Sequence, residues 1–435
     1  MTHRRTRSLN FVLRVAVLVA ARAALADSGP LDVESAVRSA LEMNPQLRAR
    51  RLELGIAEGR LRQAGVASNP EIEIERPAEK GVDVEIRAEM DATTLLFLPA
   101  RREVAALELE SARHRVAEAA IELAHDVRVA FHRAVWANRR AALAEESLEI
   151  AAATRDGAFA LHEAGNVPEL DLKTAVAAHE RARLDVTAAE LEVALASEGL
   201  ARLLGSSLVV ASELVADDED APETPAVPGA AEAKALAANL ELAALRTSLA
   251  AGTRRASLIR REGLVPDTSL YVISSRAASE PGSHGAVGAA DGRWSWGAGI
   301  KVRLPLFDRK QGVTRSNQAE VEVLRARLDG SSLGLASEVR EATSRVVLSH
   351  ARARQLGQVV VPARRAVLDE TLLHYNAMQA GVFQLLAARR SVLDAELEEA
   401  AARRDYRIAV ARLDALVAGG RPESFSSTET TDGGH

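Results

Sequence analysis

Histidine and carboxylate side chains at helical spacing are the first candidates for metal or acid–base chemistry. His114 and Glu118 stand four residues apart, and a helix would place both on one face. His125 and His132 stand seven residues apart, again on one helical face. Such pairs can hold a metal ion only when further ligands complete the set, and none follows at a fixed spacing. We therefore assign no catalytic residue, no cofactor and no metal site, interpret these histidines as packed or solvated, and expect a protein that is not an enzyme.

The totals exclude several other classes of chemistry. The chain has no cysteine, so disulfides, a thiol nucleophile and a lipid-anchored N-terminal cysteine are all excluded. Its formal charge is −6, and loss of residues 1–26 would remove five arginines and no acid. A basic surface for nucleic acid is therefore not expected, and no nucleic-acid partner is assigned.

Acidic residues occupy the alternate positions of two short segments, except for Arg87 in the second, with apolar residues such as Ile72, Ile74 and Ile86 between them. This period predicts two strands with one apolar and one polar face. Two interpretations stay open: a soluble hairpin with one buried face, and strands of a transmembrane barrel whose polar face lines the lumen. In a lumen the acids would favour cations over anions, or would only solvate the wall. The acids are Glu71, Glu73, Glu75, Asp83, Glu85, Glu89 and Asp91.

A second pair of strands is predicted further along the chain. Leu270–Ile273 forms one run, and the other alternates from Trp294 to Leu304 with glycine, serine and basic residues between. Four strands cannot close a membrane barrel, because the smallest have about eight. Three copies of the chain would supply twelve strands.

Long helices are expected to position these strands. Apolar residues reach 47% of the chain while aromatic residues are 3%, a balance that suits close helix packing. Between residues 101 and 164, small apolar residues advance by alternating steps of four and three, the spacing of a coiled coil. A continuous helix of that length would measure about 95 Å. The seam residues are Val116, Ala120, Leu123, Val127, Ala130, Ala134, Ala137, Ala141, Ala144, Leu148 and Ala151.

The chain contains two copies of one pattern. Ala40–Leu47 aligns with Ala235–Leu242, and each segment leads to a hairpin and two long helices. We expect Pro362 to kink or break the helix that contains it. The first repeat is expected at 27–205, with a hairpin about 71–98 and helices about 101–164 and 168–204. An acidic, proline-containing linker at 206–230 follows it. The second repeat is expected at 231–418, with a hairpin about 267–305 and helices about 309–380 and 382–417, and a flexible tail at 419–435 ends the chain.

The N-terminus has the layout of a cleavable secretory signal. Basic residues precede an apolar run, and Ala24-Leu25-Ala26 gives a small-x-small site before Asp27. Arg14 and Arg22 interrupt the run, which leaves an amphipathic helix as the alternative. We expect residues 1–26 to be a signal peptide.

In order, duplication and spacing, these motifs resemble the TolC-type outer-membrane efflux proteins, and most closely the branch that serves cobalt–zinc–cadmium or copper–silver pumps of the RND class. The resemblance covers nearly all of the chain after residue 26. It depends on Asn44-Pro45, on the segment Pro305–Gly312, and on two Gly-containing turns at Ala164–Leu172 and Tyr375–Leu386.

The resemblance implies a mainly α-helical fold with a β-barrel contribution: a homotrimer with a twelve-stranded barrel in the outer membrane and an α-helical tunnel across the periplasm. It also implies two partners, a periplasmic adaptor and an inner-membrane pump. The turns each describe a tight helix–turn–helix. We expect them to form the adaptor-docking tip as well, through Gly165, Asn166, Pro168, Asp171, Gly381 and Gln384. The junction between strands and helices is expected at Phe97, Pro305, Phe307, Asp308 and Gly312.

The function expected from the sequence is a passive exit duct of a tripartite efflux system. A duct of the same fold for type I secretion or drug efflux is one alternative. A soluble periplasmic coiled-coil adaptor or scaffold, with its hairpins packed internally, is another.

Overall fold

A computed structural model describes residues 31–76, 82–206, 227, 230–277 and 294–422. The expected signal peptide at 1–26, most of the linker at 206–230 and most of the tail at 419–435 lie outside these residues, as does the side chain of Asp83. The described chain is mainly α-helical with a few strands, and it separates into two compact units.

The first unit is helical. It contains α1 (Val33–Met43), α4 (Glu169–Leu204), α5 (Ala231–Ala238), α8 (Val361–Asn376) and α9 (Val382–Ala418). Residues from Ala119 onward in α3 (Ala92–Glu163) and from Ala336 onward in α7 (Gln311–Gln355) also belong to it.

The core of this unit forms where α1 packs against α3 and α4. Ala36, Val37 and Ala40 of α1 are spaced three and four residues apart, so they form one apolar stripe. The stripe packs against Leu123, Val127 and Phe131 of α3 and Leu200 and Leu204 of α4. Alanine at two of the three stripe positions allows α1 to approach α3 and α4 closely.

The second unit contains the sheet. It comprises α2 (Pro45–Ala64) from Ala49 onward, α6 (Leu240–Glu262), and four strands: β1 (Glu71–Glu75), β2 (Val82–Asp91), β3 (Asp267–Ala277) and β4 (Trp294–Arg303). The strands pair antiparallel in the order β1-β2-β3-β4. Each predicted hairpin is therefore present, and β2 pairs with β3 to join the two repeats in one sheet.

The first hairpin ends earlier than its expected boundary near residue 98. Strand β2 stops at Asp91, and α3 begins at Ala92, not near Arg101. The Oδ1 atom of Asp91 accepts hydrogen bonds from the backbone N–H groups of Thr93 at 2.8 Å and Thr94 at 3.1 Å. This carboxylate satisfies donors that a helix start leaves without partners, so the helix begins there. Pro99 lies inside α3.

The interruption expected before Pro362 is present in the second repeat. A π-helical segment, Leu356–Val360, separates α7 from α8, and Pro362 lies in the first turn of α8. The backbone stays right-handed helical at Gln355, Val360 and Val361, so a π-helical insertion and not a chain break precedes the proline. Helix α8 ends at Asn376, four residues before the expected end at Ala380.

The two repeats share one detail of backbone geometry. Asn44 and Asn239 both precede a helix with φ −62° and ψ 123°. The Oδ1 atom of Asn44 accepts from the N–H of Leu47 at 3.0 Å, and that of Asn239 accepts from Leu242 at 2.8 Å. The aligned asparagines are thus helix N-caps in both repeats.

None of the described helices combines the length and the apolar character that a membrane-spanning helix requires.

Candidate functional site

The polar face of the sheet carries most of the acids that the sequence singled out. The register pairs Glu71 with Glu89 and Glu75 with Glu85, so these carboxylates share one face. Along this face the described strands carry seven carboxylates and three cations. The carboxylates are Glu71, Glu73, Glu75, Glu85, Glu89, Asp91 and Asp267, and the cations are Arg87, Lys301 and Arg303.

The cations lie directly against several of these acids. Arg87 is 3.3 Å from Glu85 and 3.9 Å from Glu73, and Lys301 is 3.2 Å from Glu89. Asp91 caps α3, as described above. The face therefore remains acidic, but it is partly compensated, and the fourth strand supplies much of that compensation.

The opposite face of the sheet is apolar and exposed. Ile72, Ile74, Leu270, Trp296 and Ile300 occupy the alternate positions, and Trp296 is 75% exposed. An apolar surface of this extent normally marks contact with a membrane or another protein. In a soluble hairpin with internal packing this face would be covered, so the structure of the single chain disfavours that alternative.

One aromatic side chain on the polar face lies against a glycine of the neighbouring strand. Tyr271 pairs with Gly299, and a Cβ atom at Gly299 would be 2.4 Å from the Tyr271 ring. Only glycine leaves room for the ring. The Arg87 guanidinium carbon lies 6.0 Å from the centre of the same ring.

The expected junction residues occupy different environments in the two repeats. Phe97 lies inside α3 and is 6% exposed, whereas its counterpart Phe307 lies before α7 and is 93% exposed. Pro305 follows β4, the Oδ1 atom of Asp308 accepts from the N–H of Lys310 at 2.8 Å, and Gly312 is the second residue of α7. The two junctions are therefore not structurally equivalent.

An ion-pair cluster links the junction of the second repeat to α3 and α6. The Glu262 carboxylate, at the end of α6, accepts from Arg101 at 2.9 Å and from Lys310 at 2.9 Å. Burial raises the pKa of Glu262, but the hydrogen bonds from Lys310 and Arg101 outweigh that effect and hold the pKa below its ordinary value. The carboxylate is thus charged at neutral pH and connects three segments.

The turn between α3 and α4 contains one residue with left-handed backbone geometry, and a histidine side chain contacts the backbone across it. Gly165 has φ +74°, and the N–H of Asn166 donates to the carbonyl of Leu161 at 2.8 Å. The Nδ1 atom of His162 lies 3.0 Å from the carbonyl oxygen of Val167. Asn166 and Pro168 are exposed, and Asp171 lies exposed in the first turn of α4.

In the turn between α8 and α9, a different type of residue has the left-handed backbone geometry. The sequence suggested that Gly381 ends the helix, but Met378 has φ +60° and Gly381, with φ −82°, is the N-cap of α9. The N–H of Gln379 donates to the carbonyl of His374 at 2.8 Å, and the His374 Nδ1 atom lies 2.7 Å from the Gln379 side-chain oxygen. Gln384 lies exposed in the first turn of α9.

The histidines considered first do not form a metal cluster. Within the described ranges, no group of three or more histidine, cysteine or acidic residues is arranged to hold a metal ion. His125 is buried, and this burial lowers its pKa to about 4. It is therefore a neutral, packed side chain at neutral pH.

Sequence reasoning missed the Arg101, Glu262 and Lys310 cluster and the contact between Tyr271 and Gly299. No local pattern identifies the cluster, because Glu262 is separated from Arg101 by 161 positions. Glycine at alternate positions of β4 was a usable signal for Gly299, since strand glycines often mark a close approach.

Residues 233–419 match the family model described as Outer membrane efflux protein. The chain is 24% identical over 393 residues to the cobalt-zinc-cadmium resistance protein CzcC of Cupriavidus metallidurans, covering 85% of this chain and 86% of that one.

Solved structures show the same fold across nearly the whole chain. The outer-membrane channel OprN superposes with a TM-score of 0.70 at 21% identity, covering 89% of this chain and 90% of that one. CusC superposes with a TM-score of 0.61 at 18% identity, covering 91% of this chain and 95% of that one.

Proposed function

We propose that this chain is an outer membrane efflux protein of the TolC type and serves as the passive exit duct of a tripartite efflux system. It conducts substrate that an inner-membrane pump and a periplasmic adaptor deliver, and it is not an enzyme. The energy for transport comes from the pump, since a duct needs only to open.

The observation that carries this function is the construction of the sheet. One face is apolar and exposed, the other is polar and charged, and helix α3 begins directly after β2. A strand with this alternation can place its apolar side chains against lipid and its polar side chains against water.

The assembly that completes the duct is a homotrimer. Each copy supplies four strands, and three copies close a twelve-stranded barrel in the outer membrane. The barrel is needed because an open sheet edge in lipid would leave backbone N–H and C=O groups without partners. The long helices of the copies form a tunnel across the periplasm. The two helical turns form its tip, where Gly165, Asn166, Pro168, Asp171, Gly381 and Gln384 dock the adaptor.

The cargo is a heavy-metal cation handled by an RND pump. The sequence similarity to a cobalt-zinc-cadmium resistance protein supports this choice, since it extends over 85% of the chain. The carboxylates of the polar sheet face add a charge of the right sign for cations.

Reconstitution of the detergent-purified, full-length protein in a planar lipid bilayer tests the duct. We expect stepwise conductance and trimers in solution. A mature protein that stays soluble without detergent and gives no conductance would instead support the coiled-coil scaffold.

A growth assay tests the cargo separately. The gene should restore tolerance to cobalt, zinc or cadmium in a host that keeps the cognate adaptor and pump but lacks their outer channel. Restored tolerance to drugs alone would move the protein to a drug-efflux system, and restored export of a polypeptide would move it to type I secretion.

A further inference from the structure

Helices α3, α4, α7 and α9 of the first unit enclose a groove of about 1300 Å³. We call it the α3–α9 groove. Residues of all four helices line it. The volume exceeds that of most small-molecule pockets, which measure roughly 300–1,000 Å³.

The groove lies on the side of α3 that faces away from α1. Leu123, Val127 and Phe131 pack against α1, whereas His125, Val129 and Arg133 line the groove. These two sets are offset by two residues, which is about 200° around a helix. The groove therefore borders the apolar core of the unit, and Ala130, Ala196 and Leu203 contribute to both.

Arginine is the main charged residue of the groove. Six arginines line it, against four acids. Three of those acids already have arginine partners: Asp405 binds Arg404 at 2.7 Å, Glu341 binds Arg345 at 2.9 Å, and Glu192 binds Arg140. The lining therefore carries an excess of positive charge.

Two of the arginines have no such partner. Arg202 on α4 and Arg352 on α7 both line the groove and are exposed, and neither makes an ion pair within the part of the chain that the structure describes. Two guanidinium groups in one groove suit ligands with several carboxylate or phosphate groups, because each ligand group can accept two parallel hydrogen bonds from a guanidinium.

The groove lining also contains a buried nitrogen atom that the described residues leave without a hydrogen-bond partner. His125 is 5% exposed, and its Nδ1 atom has no hydrogen-bond partner among the described residues. Arg412 is equally buried, and this burial lowers its pKa. The Arg404 guanidinium carbon lies 5.0 Å from the ring centre of the buried Trp136, which holds that arginine in place.

We propose that the α3–α9 groove is a binding site for anions that carry several carboxylate or phosphate groups, with Arg202 and Arg352 as binding residues. The inference depends on the proposed duct only for how such an anion reaches the groove. A binding measurement on the purified protein therefore tests it apart from conduction.

The test is calorimetric titration of the full-length protein in detergent with citrate in one arm and inorganic pyrophosphate in the other, at constant ionic strength. The double variant Arg202→Gln, Arg352→Gln should weaken binding about tenfold or more, the scale expected for losing charge-assisted hydrogen bonds. The charge-preserving variant Arg202→Lys, Arg352→Lys should retain more of the affinity. Binding in only one arm would assign the site to carboxylates or to phosphates.

Arg364→Gln is the matched control, because Arg364 is an exposed arginine of α8 in the same unit that does not line the groove. It should bind as the unchanged protein does. Absence of binding in both arms, equal affinity in the double glutamine variant, or an equal loss in the control would overturn the proposal. Normal conductance alongside absent binding would leave the duct intact and remove only this site.

Discussion

Lys310 donates through Nζ to the Oε2 atom of Glu262 at 2.9 Å, and this contact joins the segment after β4 to the end of α6. Arg101 of α3 donates to the other carboxylate oxygen at 2.9 Å. The Glu262 carboxylate thus links Arg101, in the first repeat, to Lys310, at the junction of the second repeat. These residues are far apart in the sequence.

Replacing Glu262 by glutamine should destabilise the second unit. The variant leaves two cations beside a neutral amide, and the lost charge-assisted hydrogen bonds correspond to about 1–3 kcal/mol. Thermal unfolding of the detergent-solubilised protein measures the change. Glu53→Gln is the control, because the Arg50–Glu53 pair is exposed and surface pairs contribute little. Equal effects of both variants would contradict the prediction.

The same carboxylate should make stability depend on pH. Its folded-state pKa is lower than the ordinary value of 4.5, so the unfolded chain binds the proton more tightly. The stabilisation is then complete above the ordinary value and is lost as pH falls through the lowered one. The difference in Tm between the unchanged protein and Glu262→Gln should therefore be constant near pH 7 and shrink below about pH 4.5. A difference that grows under acid conditions would exclude this role.

Replacing Gly299 by valine should weaken the pairing of β3 and β4. The new Cβ atom would overlap the Tyr271 ring, and such overpacking costs about 1–3 kcal/mol. Gly297→Val provides the matched control, since a Cβ atom at Gly297 meets nothing within 4 Å. Thermal stability of the assembled protein should fall only for the first variant. If both substitutions had the same effect, β propensity and not the ring contact would be the cause.

Charge changes on the polar face of the sheet should alter ion selectivity in opposite directions. Replacing Glu71, Glu73 and Glu75 by glutamine should shift the reversal potential of single channels toward anion permeation. Lys301→Gln should shift it toward cations, because it releases Glu89 from its partner. Unchanged cation preference in the triple variant would show that these acids only solvate the wall.

Cysteines placed at the helical turns should crosslink to the adaptor. The chain has no native cysteine, so Asn166→Cys and Gln384→Cys each introduce a single thiol. A short bifunctional reagent should trap the adaptor in cells at both positions. Ser316→Cys, on an exposed face of α7 in the second unit, should not react with it. Failure at both turns in a variant that still supports efflux would argue against docking there.

The sequence alone was sufficient for the strands, the repeat and the long helices, because each has a local period. Alternation in Val82–Asp91 identified β2, and the aligned Asn44 and Asn239 are caps in both repeats. These features need only neighbours within a few residues, so the chain encodes them directly.

The expected boundary of the first hairpin was wrong because two contacts fix the earlier helix start: a local cap by Asp91 and a hydrogen bond between distant residues. Thr93 Oγ1 accepts from the N–H of Thr268 at 2.6 Å, 175 positions away, while Asp91 caps the helix. The Glu262 cluster and the packing of Tyr271 on Gly299 were missed for a similar reason. They depend on partners that only the folded chain brings together.

The open ends of the sheet have a kinetic consequence. Within the described residues, β1 and β4 each have a neighbour on one side only, so a lone chain carries two strands with unpaired backbone groups. In the proposed trimer those groups find partners only on other copies. Closure of the barrel then requires encounters between chains, so its rate should rise with the concentration of newly exported chains. At low concentration the unfinished sheet would persist longest, exposed to proteases and to mispairing.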